Sequence, residues 1–130
     1  MEIDMKNDGF TFRKRMNSFR YAFNGIKLLV RYEHNAWIHC FAAVAVVAAG
    51  LFFGLSRMEW VAIILAIGAV LAAEAVNSSI EALADFVSPA YQEAIKRTKD
   101  LAAGAVLLMA IAAAAVGLLI FLPKILAFVA

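Results

Sequence analysis

The chain has 130 residues, of which 65% are hydrophobic and 17% charged, and its formal net charge is +2. Soluble domains average about 45–50% apolar and about 25% charged residues, so this composition excludes an ordinary water-soluble globule. A single cysteine, Cys40, excludes an internal disulfide and a cysteine-rich metal site, and the small net charge predicts no nucleic-acid partner. We therefore predict an all-α integral membrane protein whose residues 1–130 form one membrane domain.

The segment over about residues 10–34 is predicted to form an amphipathic helix. Apolar residues such as Phe12 and Phe19 recur every three or four positions, and Arg13 and Arg20 follow the same spacing one position later. This pattern is typical of a helix lying in the membrane interface. A helix packed on the cytoplasmic side of its own protein fits the pattern equally well.

Three apolar blocks follow the amphipathic segment. They are Ile38–Leu55, Trp60–Ala73 and Leu101–Leu122. About twenty residues at about 1.5 Å rise cross a hydrocarbon layer of about 30 Å, so the first and third blocks are long enough alone. The second is long enough only if its helix continues past Glu74, and the third is expected to stop at Pro123. We predict transmembrane helices over about 36–55, 58–87 and 99–122.

Basic residues near the ends of these helices predict the orientation. Residues 1–35 contain seven Lys or Arg and the 84–100 loop contains three, whereas the Ser56–Glu59 turn has only Arg57 and the tail only Lys124. Because cytoplasmic loops carry the excess of Lys and Arg, the N-terminus and the 84–100 loop are predicted to be cytoplasmic. The expected location is the inner (cytoplasmic) membrane, which the chain crosses three times.

One face of the middle helix carries the candidate chemistry. At 100° per residue, Glu74, Asn77, Ser78, Glu81 and Asp85 lie within about 60° of one direction, and we call this face the acidic stripe. Because a carboxylate at membrane depth is costly when unpaired, Glu74 is a functional candidate, and a general base is the role that suits it. The alternative is a polar network that only ties helices together.

A basic cluster, Lys96-Arg97-Thr98-Lys99-Asp100, precedes the third transmembrane helix. It is either a topological anchor or a phosphate-binding group at the depth of Glu81. Glu33 reaches the same level, and two carboxylates from separate helices, Glu33 and Glu81, suit a Mg²⁺ ion that keeps waters and phosphate oxygens as its other ligands. The chain contains no glycine-rich phosphate-binding motif, so a bound ATP would occupy no known soluble nucleotide fold.

Three motifs resemble those of the prokaryotic diacylglycerol kinase family. They are E-A-V-N-S-S-I-E-A-L-A-D at 74–85, K-D-L-A-A-G-A-V-L at 99–107 and Y-A-F-N-G at 21–25. The resemblance covers residues 10–122. It implies an ATP- and Mg²⁺-dependent lipid kinase that acts as a homotrimer with sites shared between subunits. The acceptor would be the hydroxyl of a membrane lipid alcohol, either undecaprenol or diacylglycerol.

The resemblance also implies roles for individual residues. Glu74 would be the catalytic base and would contact the lipid substrate, while Glu33 and Glu81 would bind the metal. The implied ATP site comprises Tyr21, Glu33, Asn77, Glu81, Asp85, Tyr91, Lys99 and Asp100. Trp37 is interpreted as an interface anchor that also touches the lipid.

The stretch Glu33-His-Asn-Ala-Trp-Ile-His39 is similar to the E-x-N-x-x-I-H pattern of the family's undecaprenol branch, which favours undecaprenol over diacylglycerol. His39 itself is interpreted as an interface or packing residue. The alternative function is a small oligomeric ion- or proton-conducting protein with Glu74 as its intramembrane site, and a third is a structural subunit of a larger complex. The outer halves of the predicted spans lack ionisable groups, which disfavours a conduit.

Overall fold

The computed structural model describes residues 9–130, which form four helices and no strand. The helices are α1 (Phe12–Tyr32), α2 (His34–Phe53), α3 (Arg57–Val87) and α4 (Glu93–Val129). By length and composition, α2, α3 and α4 can each cross a membrane. The predicted all-α class, with one amphipathic helix before three membrane helices, is therefore confirmed. Lys6, counted in the predicted orientation, lies outside the described residues.

Helix α1 has an apolar face that the rest of the chain leaves exposed. It begins after Thr11, whose Oγ1 accepts a hydrogen bond from the backbone N–H of Lys14 at 3.3 Å. Its one buried residue is Leu29, whereas Phe12 and Phe19 are exposed. An amphipathic helix with an exposed aromatic face suits the membrane interface, which favours that interpretation of α1.

The corner between α1 and α2 is a single extended residue, Glu33, which ends one helix and begins the next. The indole Nε1 of Trp37 donates a hydrogen bond across this corner to the carbonyl oxygen of Val30 at 2.5 Å. The ring of Trp37 also meets the ring of His34 edge to face, with centroids 4.7 Å apart. These contacts fix the direction in which α1 leaves the transmembrane helices.

Helices α2 and α3 are antiparallel neighbours joined by a tight turn. Gly54 ends α2 with a φ of 66°, a left-handed conformation that glycine adopts without steric cost. Ser56 and Glu59 then form a capping box at the start of α3. A Cβ on Gly50 would lie 2.7 Å from the Trp60 ring, so the absence of a side chain at Gly50 lets the indole pack directly on α2.

Helix α3 continues without a break through Glu74 to Val87, as the middle membrane crossing requires. It packs most extensively against α4 and less extensively against α2. Because α1 contacts both α2 and α3, the C-terminal half of α3 lies at the same end of the molecule as α1. We call this the α1 end, and we call the end with the α2–α3 turn the turn end.

Helix α4 is longer at both ends than the apolar block predicts. It begins at Glu93, and it continues through Pro123 to Val129, so the helix end predicted at Pro123 is wrong. Proline removes one backbone hydrogen bond, but contacts beyond it hold the last turns. Lys124 Nζ lies 3.0 Å from the Glu59 carboxylate, and the ring of Phe128 packs against the aromatic residues at the end of α2.

Candidate active site

Glu74 lies in the interior of α3, and its side chain is the largest that is fully buried in residues 9–130, with 1% of the residue exposed. Its Oε2 atom is 3.7 Å from Nε2 of His39 on α2. The His39 side chain keeps 23% of its surface exposed, so the pair joins a buried carboxylate to a partly accessible imidazole. A buried carboxylate with one ionisable contact has the chemistry of a proton acceptor.

The next turn of α3 carries two polar side chains with buried, unpaired atoms. Asn77 is 6% exposed, and neither its Oδ1 atom nor the Oγ atom of Ser78 has a hydrogen-bond partner among the described residues. Buried polar atoms in folded proteins are almost always paired. These two unpaired atoms, one turn from Glu74, are therefore available to form hydrogen bonds with a group outside the described residues.

Charged side chains connect α3 to α4 beyond that turn, at the α1 end. Lys99 Nζ lies 2.5 Å from Asp85 Oδ1, and Lys99 is also attracted by the charge of Glu81. The structure thus brings the acidic stripe and the basic cluster together through Lys99. Asp100 does not join this group, because it pairs with Lys96 on the same helix at 2.6 Å.

The remaining predicted site residues lie at the same end but make fewer contacts. Glu33 is half-buried at the α1–α2 corner, and Glu81 is exposed on α3. Tyr21 on α1 and Tyr91 in the segment between α3 and α4 are exposed, so both are accessible to a nucleotide. The indole N–H of Trp37 is already engaged by Val30, and a contact with lipid would use its half-exposed ring face.

The residues present suit a magnesium ion in their donor chemistry. No group of three or more His, Cys, Asp or Glu side chains in the described range is arranged to hold a metal by itself. Mg²⁺ is commonly bound by one or two carboxylates and completes its octahedron with waters and substrate phosphates. Glu33 and Glu81 supply that many carboxylates, and the unpaired Asn77 Oδ1 is a further hard oxygen nearby in α3.

An apolar cleft of about 270 Å³ lies between α2, α3 and α4 and reaches His39. It is lined by small residues of α4, such as Ala113 and Gly117, together with Val46 of α2 and Ile63 of α3. Its lining is hydrocarbon apart from the imidazole at the α1 end. The cleft can therefore accept an apolar chain whose polar end points toward His39 and Glu74.

His39 is the neighbour of Glu74 that sequence reasoning did not identify, because a lone histidine in an apolar block is typical of packing. The sequence did contain one relevant signal, which is the depth of each residue along its helix. His39 lies six residues after Glu33, about 9 Å along α2, and Glu74 lies seven residues before Glu81, about 10.5 Å along α3. If Glu33 and Glu81 are level, His39 and Glu74 must be nearly level too, on neighbouring antiparallel helices.

Comparisons with known proteins identify the family. The model of the prokaryotic diacylglycerol kinase family matches residues 20–121. An undecaprenol kinase of Bacillus subtilis (strain 168) is 37% identical over 123 residues, which cover 95% of this chain and 100% of that protein. A diacylglycerol kinase of Synechocystis sp. is 39% identical over 110 residues, or 84% of this chain and 63% of that protein. The predicted family is confirmed and the ion-conducting alternative is not favoured: this chain belongs to the prokaryotic diacylglycerol kinase family of membrane lipid kinases.

Proposed function

We propose that the protein transfers the γ-phosphate of ATP to the hydroxyl of a membrane lipid alcohol, with Glu74 as the general base. The observation that carries this proposal is the placement of Glu74. It is a fully buried carboxylate on a helix that crosses the membrane, it lies beside the His39 end of an apolar cleft, and it is two turns from the charged end of α3. A lipid alcohol can therefore approach Glu74 from the apolar cleft, and a nucleotide can approach it from the charged end of α3.

The proposed reaction assigns one task to each part of the site. Glu74 takes the hydroxyl proton while the lipid oxygen forms a bond to the γ-phosphorus, and the bond from that phosphorus to the ADP oxygen breaks. Lys99, held by Asp85, contacts the phosphates, and Asn77 orients them through its amide N–H groups, which can donate to phosphate oxygens. Mg²⁺ held by Glu33 and Glu81 supplies charge neutralisation on the phosphates when it is bound. Positioning and electrostatics supply most of the rate in such transfers.

We propose undecaprenol as the preferred acceptor over diacylglycerol. The E-x-N-x-x-I-H pattern at 33–39 supports this preference. The full-length match to the Bacillus subtilis relative, whose name states undecaprenol, supports it as well. In addition, the cleft below His39 has a volume of only about 270 Å³ and an apolar lining, which suits part of the single methyl-branched chain of a prenyl alcohol better than two acyl chains.

The direct test gives the purified full-length protein, in detergent micelles, radiolabelled ATP, Mg²⁺ and either undecaprenol or diacylglycerol in parallel. We expect labelled phosphate to enter the organic phase with both alcohols, with a kcat/KM that is higher for undecaprenol. Transfer to neither alcohol would contradict the kinase proposal. A higher kcat/KM for diacylglycerol would contradict only the lipid preference.

The same assay tests the proposed orientation, in which the α1 end faces the cytoplasm in the inner membrane. The unequal distribution of Lys and Arg supports this orientation. Inside-out vesicles given external ATP are expected to phosphorylate added lipid without detergent, whereas right-side-out vesicles are expected to do so only after permeabilisation. The reverse pattern would contradict the orientation.

We further propose that the protein acts as a homotrimer with sites shared between subunits. The open side of the site supports this proposal, because Glu81 and Asp85 are exposed and Asn77 Oδ1 has no hydrogen-bond donor among residues 9–130. Light scattering of the protein in detergent is expected to give the mass of three 14.1 kDa chains after subtraction of the detergent. The mass of one chain would contradict the assembly.

A further inference from the structure

Glu74 needs a partner because a charged carboxylate buried among membrane helices is strongly disfavoured when it is alone. With 1% of the residue exposed, water does not solvate it, and its one ion-pair contact in the described residues is with His39. A base must be ionised before it can accept a proton. A group that holds the Glu74 carboxylate in the correct orientation therefore contributes to catalysis alongside the carboxylate itself.

His39 has the geometry of that partner. Its Nε2 atom is 3.7 Å from Glu74 Oε2, about half an ångström beyond hydrogen-bond range, so a small side-chain rotation joins them. The imidazole lies at the α1 end of the apolar cleft and is the only polar side chain that the described residues contribute to the cleft's lining. A histidine that only fills space between helices would not be expected to point its ring nitrogen at the buried carboxylate of a neighbouring helix.

We propose that His39 is a positioning residue that donates its Nε2–H to Glu74 Oε2. The hydrogen bond stabilises the carboxylate charge and leaves Oε1 free to accept the proton of the lipid hydroxyl. This inference rests on the proposed role of Glu74 as base and deepens it. In the more familiar arrangement, a carboxylate orients a histidine base. Here the histidine orients a carboxylate base, and in both cases a second side chain holds the base in position.

Replacing His39 with glutamine or with asparagine tests whether a hydrogen bond to Glu74 is needed or whether any polar side chain at this position is enough. The Nε2 atom of glutamine can occupy nearly the position of imidazole Nε2, whereas the amide nitrogen of asparagine corresponds to Nδ1 and falls short of Glu74. His39→Gln is therefore expected to keep at least about a third of the wild-type kcat. His39→Asn is expected to lower kcat roughly 10- to 100-fold, the range that follows when a catalytic group is misplaced by about 1 Å.

The readouts are kcat and the KM values for Mg·ATP and lipid, measured in mixed micelles at saturating lipid. KM for Mg·ATP is expected to stay within about twofold of wild type in both variants, because the nucleotide end of α3 is untouched. Phe41→Leu is the matched control, since Phe41 is exposed on the same helix two residues further on. That control is expected to behave like wild type.

Three results would overturn the role of His39. They are a wild-type kcat in His39→Asn, an equal loss in His39→Gln and His39→Asn, and a loss confined to KM for Mg·ATP. Each can occur while the wild-type protein phosphorylates lipid normally. Failure of wild-type transfer to any lipid alcohol would instead refute the proposed function itself.

Discussion

Replacing Glu74 with glutamine is expected to lower kcat for lipid phosphorylation by about 10²- to 10⁴-fold, the usual contribution of a positioned general base. Glutamine keeps the size and polarity of the side chain, but its amide cannot take a proton from the lipid hydroxyl. Because Glu74 is fully buried and contacts His39 rather than the charged end of α3, the change should leave nucleotide contacts intact. The measurement is the steady-state rate of labelled-phosphate transfer to lipid at saturating Mg·ATP and lipid.

Glu59→Gln is the matched control for that substitution. Glu59 is also a glutamate of α3, but it lies at the turn end, where it pairs with Lys124 and caps the helix. We expect this variant to keep a transfer rate close to wild type even if its stability falls slightly. A near-wild-type transfer rate in Glu74→Gln would refute the proposal that Glu74 is the base, regardless of the result for Glu59→Gln.

Replacing Glu81 with alanine is expected to raise the Mg²⁺ concentration needed for half-maximal activity by about tenfold or more. The proposed magnesium site has only two protein carboxylates, so removing one takes away half of the protein ligands. Glu81 is exposed and lies two turns from Glu74, so its loss should not disturb the buried base. A magnesium titration of lipid phosphorylation at fixed ATP measures the effect.

Glu93→Ala supplies the comparison for Glu81. Glu93 is an exposed glutamate in the first turn of α4, near the same end of the molecule, and it has no proposed role in binding. If both alanine variants shift the titration equally, the effect is general surface electrostatics. An unchanged titration in Glu81→Ala would contradict the ligand role outright.

Most of the fold could be predicted because hydrophobic length and helical period are local properties of the chain. The apolar blocks indicated the three membrane helices, and the acidic stripe required that α3 continue past Glu74, as it does. The end of α4 could not be predicted in this way. Tertiary contacts of Lys124 and Phe128 maintain the helix beyond Pro123, and a single-helix pattern contains no information about them.

The candidate site was only partly predictable for a similar reason. Helical period shows that Glu74, Asn77 and Glu81 share a face, and charge suggests that this face meets Lys99. Which residue of α2 faces Glu74 depends on the relative height and rotation of two helices, and these are set by the Gly54 turn and the packing of Trp60 on Gly50. For that reason His39 was assigned to packing, although the structure places it beside the buried carboxylate.

The proposed division of α3 into a base that faces the lipid and a metal ligand that faces the nucleotide is tested most directly by equilibrium dialysis of Mg·ATP against the protein in lipid-free micelles. The samples are wild type, Glu74→Gln and Glu81→Ala at one limiting Mg²⁺ concentration. We predict that Glu74→Gln binds Mg·ATP with the wild-type Kd and that Glu81→Ala binds it at least about tenfold more weakly. Equal weakening in both variants, or weakening in Glu74→Gln alone, would contradict the division.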